Sequence, residues 1–195
     1  GRERGGGWAG ERARGGGLCC GCGGQIQPSR ALVWGDSHAT ALIPVFDDGA
    51  KAHDVSVILA SSPGCLPVEG LEHDERCARF NRRVEQAINP QAVSDVVLVA
   101  RWSLYLYGDV KGDLGHALKS ADGHYDRAGA EQRLADGLRA RVAQLRAGGH
   151  QVWLVKEAPL QAFSPPYRLT RLAMLDRPVD DVGLAFAEHH KRQAF

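Results

Sequence analysis

The sequence predicts an α/β fold of three layers, α/β/α, built on a parallel sheet. Two observations carry that prediction. Short, continuous apolar runs rich in β-branched residues mark strands buried on both faces, and segments with helical apolar spacing alternate with them. Strand-helix-strand repeats of this kind close through right-handed crossovers that cover both faces of the sheet.

"ALVW", Ala31 to Trp34, is the first strand. It stops at Gly35-Asp36-Ser37-His38, and "HATALIPVF" follows as a helix that Pro44 disturbs or ends early. An Asp or Ser directly before an apolar-periodic segment is a good N-cap, so the quartet forms a strand-to-helix turn. "VSVILAS", Val55 to Ser61, is the second strand. From Cys77 onward Phe80, Val84, Ala87 and Ile88 fall at helical spacing, and Asn89-Pro90 stops that helix. "SDVVLVARW", Ser94 to Trp102, is the third strand, and Leu104 to Arg127 reads as a long loop without a period. Leu134, Leu138, Val142 and Leu145 make one helical stripe closed by Gly148-Gly149. "QVWLVKEAPL" is the fourth strand, Pro165-Pro166 opens an irregular segment, and "VGLAFAEHHKRQAF" ends the chain as a helix.

Residues 1–30 differ from the remainder. "GRERGGGWAGERARGGGLCCGCGGQIQPSR" is dominated by Gly and Arg and lacks apolar surface to offset its ordering entropy, so it is expected to be a disordered leader before a domain at 31–195. It has no apolar core of a secretory signal. Arginine spaced by glycine suits flexible phosphate contacts, but this segment has no aromatic ladder beside it. Cys19, Cys20 and Cys22 lack the second Cys pair or nearby His that a structural zinc site needs, and no metal or diffusible cofactor is predicted.

The formal net charge of +1 gives no global reason to expect a nucleic acid as partner. No stretch approaches the roughly 20 apolar residues of a membrane span. Cys65 and Cys77 flank a polar loop at a spacing that suits a disulfide, and equally suits two unpaired thiols. Parallel sheets place ligands outside the carboxyl ends of their strands, and Ser37, "SSPGC" and "ARWSLY" each follow a strand. Three loops therefore converge on one crevice.

Gly35-Asp36-Ser37-His38, "SPGCLPV…RCARFN" and "VVLVARWSLY", in that order, resemble the blocks of SGNH/GDSL hydrolases. The combination is similar to the SGNH domain fused to acyltransferase-three membrane proteins, which O-acetylate surface polysaccharides. The likeness covers about residues 31–195 and implies a flavodoxin-like sheet, a polysaccharide acceptor and an acyl donor as partners, and a membrane acyltransferase domain in the full-length protein. It also implies an extracytoplasmic compartment, which favours the Cys65–Cys77 disulfide. Ser37 inherits the role of nucleophile, and its N–H that of an oxyanion donor. Gly64 matches the second block's donor. The third block has no Asn, so Arg101 or Trp102 stands in for it, and Asp36 is a further residue of the oxyanion and substrate region.

Asn81 lies outside the third block and reads as a structural hydrogen-bonder. The family takes its base from an Asp-x-x-His after a fifth strand. The chain is read as lacking that motif, so the domain is expected to be C-terminally incomplete and, as written, a poor catalyst. His116 and His124 lie on the active edge, His38 adjoins the nucleophile, and His189-His190 sit in a charged helical stretch. A catalytically inactive carbohydrate-binding or interaction module of the same fold is the alternative. A flavodoxin-like receiver or nucleotide domain is disfavoured, since no Gly-rich phosphate loop follows a strand.

Overall fold

A computed structural model of the chain describes residues 17–22, 29–71, 74–88, 92–109, 111–159, 161, 164–179, 183 and 185–192. Five strands form one sheet: β1 (Gly17–Cys22), β2 (Ser29–Gly35), β3 (Ser56–Ser61), β4 (Asp95–Val99) and β5 (Gln151–Val155). Their spatial order is β1-β3-β2-β4-β5, with β3, β2, β4 and β5 parallel and β1 antiparallel to β3. The four-stranded parallel sheet with its helices is the predicted three-layer architecture.

β2 shows why the layers form. Leu32 and Trp34 point to one face and Val33 to the other, as the period-2 alternation of a strand requires. Val33, Leu59 and Val99 pack against Ala39 of α1 (Ser37–Ala41) and Ala50 of α2 (Ile43–Ala52). Leu32, Trp34, Val96 and Leu98 pack in one cluster with Phe80 and Val84 of α3 (Glu75–Ala87), Trp102 and Leu106 of α4 (Trp102–Tyr107), and Leu134 and Leu145 of α5 (Arg127–Ala147). On that face the Asn81 side chain accepts from the Trp34 indole at 3.2 Å and donates to the Leu66 carbonyl at 2.9 Å. It is a structural hydrogen-bonder between helix, sheet and loop.

Pro44 acts as anticipated. The helix after the Ser37 turn breaks at Leu42, and Pro44 falls in the first turn of α2, where its missing N–H costs no intrahelical bond.

Four elements depart from the sequence reading. Gly17–Cys22, expected within a disordered leader, pair with β3 from Gly17↔Ser61 to Cys22↔Val57, and Ser29 and Arg30 already belong to β2. Composition measures side-chain burial, whereas an added strand satisfies the backbone of an open sheet edge whatever its side chains. Residues 1–16 and 23–28 of that leader lie outside the described residues. Arg101 and Trp102, read as the end of a strand, lie beyond β4 and open α4, which also takes Leu104 to Tyr107 out of the expected loop. Pro165-Pro166 begins α6 (Pro165–Met174) instead of an irregular stretch, because proline is tolerated at the first helical positions. The chain's last described element is α7 (Phe186–Arg192), at the predicted helix. β5 ends the strand order, with Trp153 and Leu154 about half exposed.

Candidate active site

Register alone brings the strand-end loops together. Gly35 is opposite Ser61 on one side and Val99 on the other, and Val99 is opposite Val155. The loops that leave these residues therefore start side by side. Ser62 N–H donates to the Gly35 carbonyl at 3.1 Å, and the Thr40 and Ser61 hydroxyls are 2.8 Å apart. Gly35 is required by contact, since a Cβ there would lie 1.7 Å from the Val99 carbonyl oxygen. That close approach lets Asp36 N–H reach the same carbonyl at 3.3 Å.

Asp36 is 1% exposed and joins two of the loops. One carboxylate oxygen accepts the His38 N–H at 2.8 Å, capping α1. The other accepts the Arg101 N–H at 2.9 Å and the Tyr105 hydroxyl at 3.0 Å. Burial pushes the Tyr105 phenol well above its ordinary pKa, and the Asp36 charge and hydrogen bond add to the rise while Arg76 and Arg101 oppose it. Tyr105 is thus held neutral as a donor. Placed in sequence with the oxyanion and substrate region, Asp36 has instead spent both oxygens on these donors, and a carboxylate cannot stabilise an oxyanion. It is a positioning residue.

With Asp36 as N-cap, Ser37 is the first helical residue. Its N–H precedes the intrahelical ladder, and its exposed hydroxyl bonds no described residue. Gly64 lies in the turn Ser62-Pro63-Gly64-Cys65, closed by Cys65 N–H to the Ser62 carbonyl at 3.0 Å. Its φ of +71° is the conformation that a Pro-Gly turn of type II needs. Its N–H also bonds no described residue. Cys65 and Cys77 are bonded as the resemblance implied, with Cα atoms 5.0 Å apart, fixing this turn to α3. Arg76, on the same helix, donates to the Ser62 hydroxyl at 2.7 Å and the Pro63 carbonyl at 3.0 Å.

The two stand-ins for the third block separate here. The Trp102 indole is 2% exposed and donates to the Val155 carbonyl at 2.8 Å, so it is core and not an oxyanion donor. The Arg101 backbone N–H is spent on Asp36, and its guanidinium bonds no described residue.

Two residues of this edge escaped the sequence reading. Glu157, two residues past β5 and 5% exposed, accepts the Ser103 N–H at 2.8 Å and the Ser103 hydroxyl at 2.7 Å, capping α4 from another loop. Tyr105 is the second. His116, which the sequence placed on this edge, is beside Gly64: a Cβ on Gly64 would lie 2.8 Å from its Nε2, so the imidazole packs over the Gly64 turn. Contrary to the reading that the chain lacks an Asp-x-x-His, Asp113-Leu114-Gly115-His116 is one. It lies between α4 and α5 instead of after the last strand, and Asp113 accepts the Gly115 N–H at 2.8 Å with no bond to His116. His124 sits in its own turn, its carbonyl accepting the Ser120 hydroxyl at 2.8 Å.

A family model described as the SGNH domain fused to AT3 domains matches residues 7–195. The chain belongs to that family. A comparison with curated proteins finds none that matches it. Membership in this SGNH family brings a hydrolase or acyltransferase type of fold and an association with AT3 membrane acyltransferase domains. Among the described residues no helix is long and apolar enough to cross a membrane, and no group of His, Cys, Asp and Glu is arranged to hold a metal ion.

Proposed function

We propose that this SGNH domain is a serine O-acyltransferase or acyl esterase acting on cell-surface polysaccharide outside the cytoplasm, with Ser37 as nucleophile. The observation that carries the reading is Ser37 itself: an exposed hydroxyl at the first position of α1, beside an N–H that no helical bond consumes. Ser37 Oγ attacks the acyl carbonyl, giving up its proton to a base, and the carbonyl oxygen takes the negative charge. The N–H groups of Ser37 and Gly64, bonded to no described residue, are the donors for that charge, aided by the positive end of α1. Collapse expels the donor's leaving group, and a sugar hydroxyl or water then takes the acyl group from the serine ester.

No imidazole among the described residues is hydrogen-bonded to Ser37. That observation favours a second reading, a carbohydrate-binding module of the same fold that lost the chemistry. Hydrolysis of p-nitrophenyl acetate by the chain and by Ser37→Ala separates the two. Turnover that disappears with Ser37 supports the serine enzyme, and equal rates for both proteins support the binding module. The His116 imidazole lies against Gly64, one of the two proposed oxyanion donors. Ser37 has no imidazole partner among the described residues, so only slow turnover is expected, on the order of 10³ to 10⁴ over the uncatalysed rate from oxyanion donors and binding.

A further inference from the structure

Arg101 stands out among the residues of the strand-end loops. Other charged groups there are matched. Asp36 receives three donors, Glu157 receives two from Ser103, and Arg76 donates to Ser62 and Pro63 with Asp74 at 3.7 Å. The nearby Asp109 carboxylate accepts the N–H groups of Lys111 at 2.8 Å and Asp113 at 2.9 Å, within its own turn. Arg101 has no such match. Its Nε is enclosed by protein without an acceptor, and no hydrogen bond or ion pair joins its guanidinium to any described residue. Its two terminal nitrogens are not enclosed in this way, and they bond no described residue.

The backbone fixes where that side chain starts. Arg101 N–H is held by the carboxylate that caps the Ser37 helix, so the two residues are tied through one side chain. A guanidinium whose stem is partly desolvated and whose fork is hydrogen-bonded to no internal anion is arranged for an external one. The planar pair of N–H donors matches a carboxylate or phosphate bidentately.

We infer that Arg101 binds a permanent negative charge on the saccharide, so that the Ser37 crevice serves acidic glycans in preference to neutral ones. This rests on the reading of Ser37 as the reacting serine, and it assigns the substrate class of that site. The charge is a sugar carboxylate or a sugar phosphate, which share this chemistry. Arg76, already engaged with Ser62 and Pro63, adds a second cation without supplying the free fork.

Titration calorimetry on the chain tests this with two matched pairs: trigalacturonate against its methyl ester, and glucose 1-phosphate against glucose. In the wild type one charged member binds about tenfold or more tighter than its neutral partner, the scale of a hydrogen bond to a charged group, and the pair that shows it identifies carboxylate or phosphate. The preference shrinks as salt is raised from about 0.02 to 0.3 M, as a partly exposed charge pair must. Arg101→Gln brings it to within twofold, and Arg101→Lys, keeping charge without the fork, leaves an intermediate value. Equal binding of charged and neutral probes by the wild type overturns the inference. So does a preference that survives in Arg101→Gln or is indifferent to salt. Labelling of Ser37 by a fluorophosphonate is read in parallel. Labelling without charge preference sinks the Arg101 assignment alone, and charge preference without labelling sinks the serine reading alone.

Discussion

Replacing Asp36 by Asn removes one charge and changes no volume, which isolates the carboxylate's role as the tie between the Ser37 and Arg101 turns. The carboxylate accepts three hydrogen bonds, two from backbone N–H groups and one from Tyr105. An amide has one acceptor oxygen. Turned toward Arg101 and Tyr105, it keeps those two bonds and sets its NH2 against the His38 N–H. Turned toward His38, it sets the NH2 against the Arg101 N–H, although the Tyr105 hydroxyl can rotate to accept. Either way a buried donor faces a donor. With Asp36 1% exposed, no solvent relieves the clash. Losing one hydrogen bond to a charged group and stranding its donor costs about 2–3 kcal/mol. For a domain of this size that lowers the melting temperature by about 4–12 °C. Asp36→Ala strands all three donors and costs more, up to about 5 kcal/mol. Tyr105→Phe removes a single bond and leaves Asp36 two donors, so it costs about 1.5 kcal/mol. Thermal unfolding followed by circular dichroism ranks the three. Asp36→Asn melting within 1 °C of the wild type, or less destabilised than Tyr105→Phe, refutes the assignment of Asp36 as the tie.

The same tyrosine predicts an alkaline signature. Because the native Tyr105 pKa is raised, the unfolded chain loses that proton first, so stability is complete below about pH 10 and falls by about 1.4 kcal/mol per pH unit above it. Urea midpoints from pH 9 to 11 must fall more steeply for the wild type than for Tyr105→Phe. Opening the Cys65–Cys77 bond frees a loop of 12 residues' separation and removes about 3 kcal/mol, measured as a lower urea midpoint for the Cys65→Ser/Cys77→Ser protein. An unchanged midpoint, or an intact mass two hydrogens too heavy in the untreated wild type, contradicts the bond. Gly64→Ala is strained twice, by the positive φ and by His116, so it loses about 1–2 kcal/mol or more, and His116→Gly in the same chain restores part of that loss. Purely additive effects in the double variant place His116 elsewhere. His116→Gln changes the slow esterase rate by less than twofold, because no imidazole among the described residues is bonded to Ser37, whereas a drop beyond tenfold makes His116 the base.

Periodicity located the four parallel strands and their helices because burial on both faces leaves a continuous apolar run, as in Val55 to Ser61. It missed β1, whose Gly and Cys residues advertise no burial and whose pairing is a backbone matter. It missed α4, whose six residues make fewer than two turns. Proline at 165 and 166 reads as a breaker until a helix is found beginning on it. At the active edge the turn chemistry of Gly35-Asp36-Ser37 and Pro63-Gly64 was legible, since each needs a particular residue at a particular backbone conformation. Long-range hydrogen bonds were not. Nothing in the local sequence tells that Asp36 reaches Tyr105, 69 positions away, or that Glu157 caps a helix 54 positions earlier. The Trp102 indole looked free for a substrate because its partner, the Val155 carbonyl, belongs to another strand.

The central claim is that Ser37 is a reactive serine, and covalent labelling measures that directly. The chain is incubated with a fluorophosphonate, its intact mass is recorded over time, and the modified peptide is mapped. A single adduct on the peptide carrying Ser37, absent from Ser37→Ala and formed faster than on any other serine, is the predicted result. An adduct that persists in Ser37→Ala, or no adduct in the folded wild type, contradicts the claim and leaves a binding module on an SGNH scaffold.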